Sequence, residues 1–370
     1  MSIQDFRVKL NTYKEFLFLV FFLPLTGCTA LGLYSEDPVY KIFFVVGLLC
    51  VALKIFITNY NKKDFILISI LISLLAGILF INGEKTLVLT LLAIIGCKDL
   101  NVKRILTYTF WIYLLCFLLT FFLSFLGIIE NTLIELPKNG IMYGVYDYGF
   151  GHPNSAYNHL FIIAALGTIA YSEKFSILHF FLFTILMYIG YKIFFCRTGW
   201  IVYLMLCASI LLHRFFNQKK WYKFFFNLYV FMPSLIVIIT FFLTWAYKHQ
   251  FSFAQFINRI VTGRLHLYQN AVRNLGFHWY APGGILTEPL DNLYLYILIR
   301  YGIIIFLIFL AIYSFTMIRL KKEHNDLAII VLGAAAVYGF MEYSLINITW
   351  NPLFLYFAVL FRPSSAYKSQ

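Results

Sequence analysis

KHQFSFAQFINRIVTGRLHLYQNAVRNLGFHWYAPGGILTEPLDN, Lys248 to Asn292, lies between two long apolar runs, Phe224–Tyr247 and Leu293–Ile318. Runs of that length match a bilayer hydrocarbon core about 30 Å thick, which takes about 20 residues of helix. The stretch therefore reads as a large loop hung between two membrane helices. It is the one long hydrophilic interruption in a chain that otherwise alternates apolar stretches with short polar turns. Lys248, Arg259, Arg264 and Arg273 stand in it, and its first carboxylate is Glu288; going backwards, no Asp or Glu occurs until Glu173. So many cations without counter-charges point to an anionic ligand, and guanidinium forks suit phosphate or carboxylate.

The rest of the composition agrees with a membrane solvent. Of 370 residues, 62% are hydrophobic and 12% charged, too few charges to cover a water-soluble surface. The reading is a single all-α polytopic integral membrane domain over residues 1–370. The formal charge of +13 is explained by Lys and Arg gathering in cytoplasmic loops, so no nucleic-acid partner is expected. Six cysteines, Cys28, Cys50, Cys97, Cys116, Cys196 and Cys207, lie in or at the ends of apolar runs without metal spacing; they read as small core residues. Leu25-Thr26-Gly27-Cys28 matches a lipoprotein cleavage box, but another apolar run starts about ten residues later. An uncleaved first helix is expected.

Apolar spans fall near Phe16–Leu33, Val39–Ile57, Phe65–Ile81, Thr86–Gly96, Ile105–Ile129, Ser155–Tyr171, Phe175–Phe195, Thr198–Leu212, Phe224–Tyr247, Leu293–Ile318, Leu327–Tyr343 and Ile346–Phe361. That makes about twelve transmembrane helices, the fourth short enough to be re-entrant and the last two joined by a tight turn. With the N-terminus inside, every short basic loop falls inside: Arg7/Lys9/Lys14, Lys62/Lys63, Lys98/Lys103/Arg104, Lys174, Arg214/Lys219/Lys220/Lys223, Arg319/Lys321/Lys322 and Arg362/Lys368. This is the positive-inside bias, and it predicts both termini in the cytoplasm. Two extended loops then lie outside, Glu130–Asn154 and Lys248–Asn292, the second between the ninth and tenth spans. Its cations sit against the bias, so topology does not account for them.

Within the large loop, Phe253 to Leu275 has helical periodicity with a broad apolar face. Arg259, His266 and Arg273 recur every seven residues on the opposite face; that pattern equally suits an amphipathic helix at the membrane surface. Arg264 projects from the apolar face and so requires a partner or a wet cavity. A second candidate is Gly149-Phe150-Gly151-His152-Pro153-Asn154, a turn that delivers His152 and Asn154 to the outer mouth. The plainer reading has Asn154 or Ser155 capping the next helix. A third is Cys196-Arg197-Thr198-Gly199 at an outer turn, where Arg197 either binds an anion or snorkels to the interface. The fourth is Glu288 to Tyr294, where Asp291 and Asn292 either cap the tenth span or supply a general base. Glu342 and Asn347 are weaker candidates at the same mouth. No Walker loop, zinc-helix pair, nucleophile elbow or carboxylate-rich metal box is present, so no ATP and no metal cofactor are expected.

In this order these motifs resemble the Wzy-type polysaccharide polymerases and O-antigen ligases. The resemblance rests on Gly151-His152-Pro153-Asn154, Arg197-Thr198-Gly199, Thr262-Gly263-Arg264-Leu265, the Gly276 and Gly283-Gly284 region, Asp291-Asn292-Leu293-Tyr294 and Tyr301-Gly302. It covers roughly Asp147 to Phe361. It implies a GT-C-like fold and an inverting, metal-independent transferase at the outer face of the bacterial plasma membrane. The implied substrates are undecaprenyl-diphosphate-linked repeat units, with membrane lipid, a flippase and a chain-length regulator as partners. It further implies that Arg197 and Arg264 bind the donor diphosphate, with Arg259 and Arg273 as further anion contacts. Asn154, Asn292, Tyr294 and His266 become substrate contacts, and Asp291 or His152 the base. The ligases carry His-Asn where this chain has Asp291-Asn292, which favours a polymerase. A lipid-linked oligosaccharide transporter is the rival from another class; it would place ionisable groups near mid-membrane.

Overall fold

The computed structural model describes residues 3–138, 141–172, 177–282 and 290–362. Glu288, Gly283-Gly284, Lys174 and Lys368 lie outside the described residues. The first helices are α1 (Ile3–Ala30), α2 (Pro38–Phe56), α3 (Lys62–Asn82), the short α4 (Thr86–Gly96) and α5 (Val102–Phe125). A hairpin follows, β1 (Leu133–Lys138) antiparallel to β2 (Ile141–Tyr146), with Leu133 opposite Tyr146. Next come α6 (Pro153–Ala170), α7 (Ile177–Phe194), α8 (Arg197–Phe216), α9 (Lys220–Tyr229), α10 (Met232–Lys248), α11 (Ser252–Ile260) and α12 (Arg264–Leu275). The last helices are α13 (Leu293–Tyr301), α14 (Ile303–Lys322) and α15 (Asp326–Tyr338), followed by two 3₁₀ segments, Tyr343–Ile346 and Pro352–Phe361.

The membrane class stands, and the span count changes. Among the described residues six helices, α1, α2, α3, α5, α8 and α14, are long and apolar enough to cross a bilayer, or seven if α9 and α10, bent by 64°, are taken as one span. Phe56 and Phe80 are 88% and 89% exposed on their outer surfaces, a placement that water penalises and lipid tails do not. The expected ninth span breaks at Val230–Phe231 ahead of Pro233, whose ring suits the first turn of a new helix. The expected tenth span breaks at Gly302, where φ is +92°, a conformation that disfavours side chains. The first outer loop also forms the hairpin, which alternation in its sequence had not suggested.

The two last spans are corrected most. No tight turn joins full-length helices there; α15 stops at Tyr338 and a largely irregular segment, Gly339–Asn351, follows. At about 1.5 Å per residue in α-helix and about 2 Å in 3₁₀-helix, α4, α15 and Pro352–Phe361 each reach only some 16–20 Å. They therefore fall short of a hydrocarbon core about 30 Å thick. Tyr113, midway along α5, donates to the Thr349 carbonyl at 3.1 Å, and Thr90 of α4 donates to the Ile346 carbonyl at 3.2 Å. The later part of the irregular segment, Ile346 to Thr349, thus sits deep in the bundle, where non-helical backbone is tolerated only if protein or a water-filled cavity satisfies it. α6 and α15, buried along nearly their whole length, form the centre around it.

The hairpin, α11 and α12 lie at one end of the bundle, the mouth. Tyr143 of β2 packs on Phe195 at 4.9 Å, just before α8, and α12 packs over the end of α15. α13 runs within this end rather than across the bundle: Leu293 N–H bonds the Gly339 carbonyl at 2.8 Å, while Arg300 pairs with Glu84 at 2.9 Å. At the opposite end, Lys98 pairs with Asp64 at 2.5 Å and Lys54 donates to the Lys98 carbonyl at 2.6 Å.

Candidate functional site

The single amphipathic helix expected from Phe253 to Leu275 is two helices. Thr262 (φ +55°) and Gly263 (φ +83°) adopt left-handed backbone conformations that interrupt the α-helical ladder between α11 and α12. The seven-residue repeat is therefore broken: Arg259 sits on α11, whereas His266 and Arg273 sit on α12, and all three are exposed. His266 is 3.0 Å from Asn270, and Arg273 Nε donates to Asn274 at 3.3 Å. None of these three joins the buried polar groups below.

Arg264 behaves as its position on the apolar face required. It opens α12, is buried to 7% exposure, and meets Asp291 with Nε to Oδ2 at 3.3 Å. Its Nη1 lies 3.1 Å from the Met341 sulfur. Burial disfavours its charge, while the neighbouring Asp291 carboxylate is the main group that favours it, leaving its pKa raised. A buried guanidinium that stays charged needs such compensation. The Arg264–Asp291 pair ties the start of α12 to the end of the large loop.

The floor beneath this pair is the Gly339–Asn351 segment. The Phe340 carbonyl accepts from Tyr268 Oη at 2.6 Å and from Asn292 Nδ2 at 3.0 Å. Asn292 is fully buried and also caps α13, its Oδ1 accepting from Tyr294 N–H at 3.0 Å and Leu295 N–H at 2.9 Å. Tyr294 is buried too and donates to the Ala336 carbonyl at 2.7 Å. Both expected substrate contacts are thus occupied in tying α13 to α15. Glu342, next to Met341, accepts from Ser344 N–H at 3.3 Å and caps the following 3₁₀ turn. Burial, chiefly, raises the Glu342 carboxyl to about 7; Asp291 adds to the shift, while Ser344 and Arg264 oppose it.

His152 turns out to be the cap of α6: its Nδ1 accepts from Asn154 N–H at 3.0 Å. The expected caps Asn154 and Ser155 lie inside the first turn instead. Asn154 itself is half-buried. Arg197 begins α8, half-buried, with its guanidinium 5.7 Å from the Phe195 ring centre. The preceding Cys196 acts electrostatically on both Arg264 and Tyr338, and a Cβ on Gly199 would come within 2.8 Å of the Tyr338 hydroxyl. The start of α8 therefore lies beside the Arg264 pair.

Several buried polar groups escaped the sequence reading. Asn158 donates to the Ser344 hydroxyl at 3.0 Å. His159 Nδ1 is 3.0 Å from Tyr113 Oη, and its ring stacks on Trp350 at 4.5 Å. Since the one Tyr113 proton goes to the Thr349 carbonyl, His159 Nδ1 must donate, which leaves Nε2 as a bare acceptor. That Nε2, Asn158 Oδ1, Asn351 Oδ1 and the Tyr338 hydroxyl are buried without protein partners among the described residues. Adjacent polar residues in an otherwise apolar span were the available signal. Among the described residues no cluster of His, Cys, Asp or Glu could hold a metal.

The fold and site define a polytopic, largely α-helical membrane protein with a charged mouth over a broken-helix floor. No family model, no curated protein and no solved structure matches the chain.

Proposed function

We propose that this chain is a polysaccharide polymerase of Wzy type. It transfers a growing glycan from undecaprenyl diphosphate onto an incoming lipid-linked repeat unit, with inversion, at the outer face of the plasma membrane. The observation that carries the reading is the buried Arg264 guanidinium, 3.3 Å from the partly exposed Asp291, beside Glu342 at the mouth. A fixed guanidinium at a membrane mouth is suited to a lipid diphosphate, whose negative charge grows as the sugar bond breaks. Arg197, at the start of the adjacent α8, is the second cation. The remaining catalytic demand is placement of two lipid-anchored substrates and removal of one hydroxyl proton. Clustering of these groups at one mouth favours an enzyme over a transporter.

Polymer length in cells carrying Arg264→Ala as the only copy tests this. With membrane levels normal, only single-repeat product is expected. Unchanged long polymer would leave Arg264 a structural ion-pair partner of Asp291 only and remove the reading's basis. Failure of repeat units to reach the outer face would favour the transporter.

A further inference from the structure

We infer that Glu342 is the base that takes the proton from the acceptor hydroxyl. The inference rests on the transferase reading and deepens it. The two other candidates from the sequence are committed elsewhere. Asp291 is held as the counter-ion of the Arg264 guanidinium, with Nε to Oδ2 at 3.3 Å. His152 uses Nδ1 to cap α6. His159 has a bare buried nitrogen, but it is wedged against Trp350, Phe150 and Tyr113.

Glu342 differs from all three in position and company. It follows the residue whose sulfur touches Arg264, and it interacts through space with Arg264 and Asp291. Ser344 N–H fixes its carboxyl at 3.3 Å, and the residue still reaches the surface of the mouth. The titratable and charged groups facing it are Asp291, Arg264 and the phenols of Tyr268, Tyr338 and Tyr343. The cluster thus places a second carboxyl, Glu342, beside the Arg264–Asp291 pair, raised to about 7 chiefly by burial. A base works best with a pKa near the working pH.

The step balances without a further reactant. The acceptor oxygen bonds to the anomeric carbon of the donor sugar as its proton passes to a Glu342 carboxylate oxygen. The bond from that carbon to the diphosphate oxygen breaks, and its electron pair leaves with the diphosphate beside Arg264 and Arg197. Glu342 then returns its proton to water or to the departing diphosphate.

The test uses the full chain reconstituted in liposomes. The probe is lipid-linked repeat units extracted from host cells lacking this gene, with initial elongation rates read from pH 5.5 to 8.5. Because Glu342 must be ionised to accept a proton, the unchanged chain should gain activity as pH rises through about 7. Glu342→Gln should lower kcat at least about 100-fold, the lower end of general-base contributions, and abolish that acid limb. Its affinity for undecaprenyl diphosphate should stay within about twofold, which also reports a folded mouth. Glu342→Asp should keep partial activity with a displaced limb. Retention of kcat within about threefold in Glu342→Gln, or an acid limb that persists in it, would overturn the assignment and leave the transferase reading intact. If the unchanged chain elongates nothing, the transferase reading itself falls, and the base with it.

Discussion

Arg264 is the residue on which sequence and structure meet most directly. A guanidinium on the apolar side of an amphipathic stretch has to be compensated, and it is, by Asp291 at 3.3 Å. The need for a partner was legible from helical phase; its identity was not, because the pairing depends on how the ends of the large loop fold together. Asp291 is 39% exposed and Arg264 only 9%, so the carboxylate is the partner that can yield to an incoming anion. A diphosphate must therefore compete with it. Asp291→Asn is expected to bind undecaprenyl diphosphate about three- to tenfold more tightly, since the competing ion pair is worth about 1 kcal/mol. Release of product should slow correspondingly. Isothermal titration with undecaprenyl diphosphate reads the affinity, and weaker binding by Asp291→Asn would show that Asp291 serves the ligand instead of opposing it. Asn292 and Tyr294 illustrate the opposite case: polar side chains at a mouth that proved to be structural ties, because their bonds go to backbone carbonyls that the sequence does not reveal.

At the scale of elements, apolar runs announced where membrane helices lie, and breaks within them went mostly unseen. Run length is set by composition, whereas a break depends on a few backbone angles. Gly302 is one such point: at φ +92° it turns the chain from α13 into α14, and a Cβ there would sit 2.7 Å from Tyr280 Cα and 2.8 Å from its backbone nitrogen. Neither atom can move without shifting the backbone of the loop at Trp279–Tyr280. Gly263 turns the chain between α11 and α12 at φ +83° with open space around it. Gly263→Ala should accordingly cost only the left-handed penalty, about 1–2 kcal/mol. Gly302→Ala should cost distinctly more, with a backbone clash added to the same penalty. Thermal unfolding of the two variants in the same detergent decides the matter, and equal midpoints would contradict the close packing of α13 against the large loop. The irregular Gly339–Asn351 segment belongs to the same lesson. Its apolar flanks read as two spans, yet Glu342, Asn347 and Asn351 within thirteen residues were a sign that the backbone there leaves the helix.

For the molecule as a whole, the arrangement of short and long elements matters more than the number of spans. Among the described residues six helices are long and apolar enough for full crossings, seven with the bent α9–α10 pair taken as one span, while α4, α15 and Pro352–Phe361 stop short and leave room for a polar floor. The basic loops and the mouth give this bundle a direction. Lys62/Lys63, Lys219/Lys220 and Lys321/Lys322 flank the end opposite the hairpin, and the positive-inside bias predicts that such clusters stay in the cytoplasm. On that prediction the hairpin, α11 and α12 face outward, where the proposed lipid-linked glycan would be found. A cysteine-free version of the chain carrying one reporter cysteine at a time tests this. Thr132, beside the hairpin, and Thr262, between α11 and α12, are exposed, so cysteines there should react with a membrane-impermeant maleimide in intact cells. Cysteines at Lys219, between α8 and α9, and at Lys322, at the end of α14, should react only after the membrane is opened. Labelling of Thr262→Cys exclusively in opened cells would put Arg264 on the cytoplasmic side. There it would face nucleotide-linked precursors, and the polymerase reading would lose its substrate.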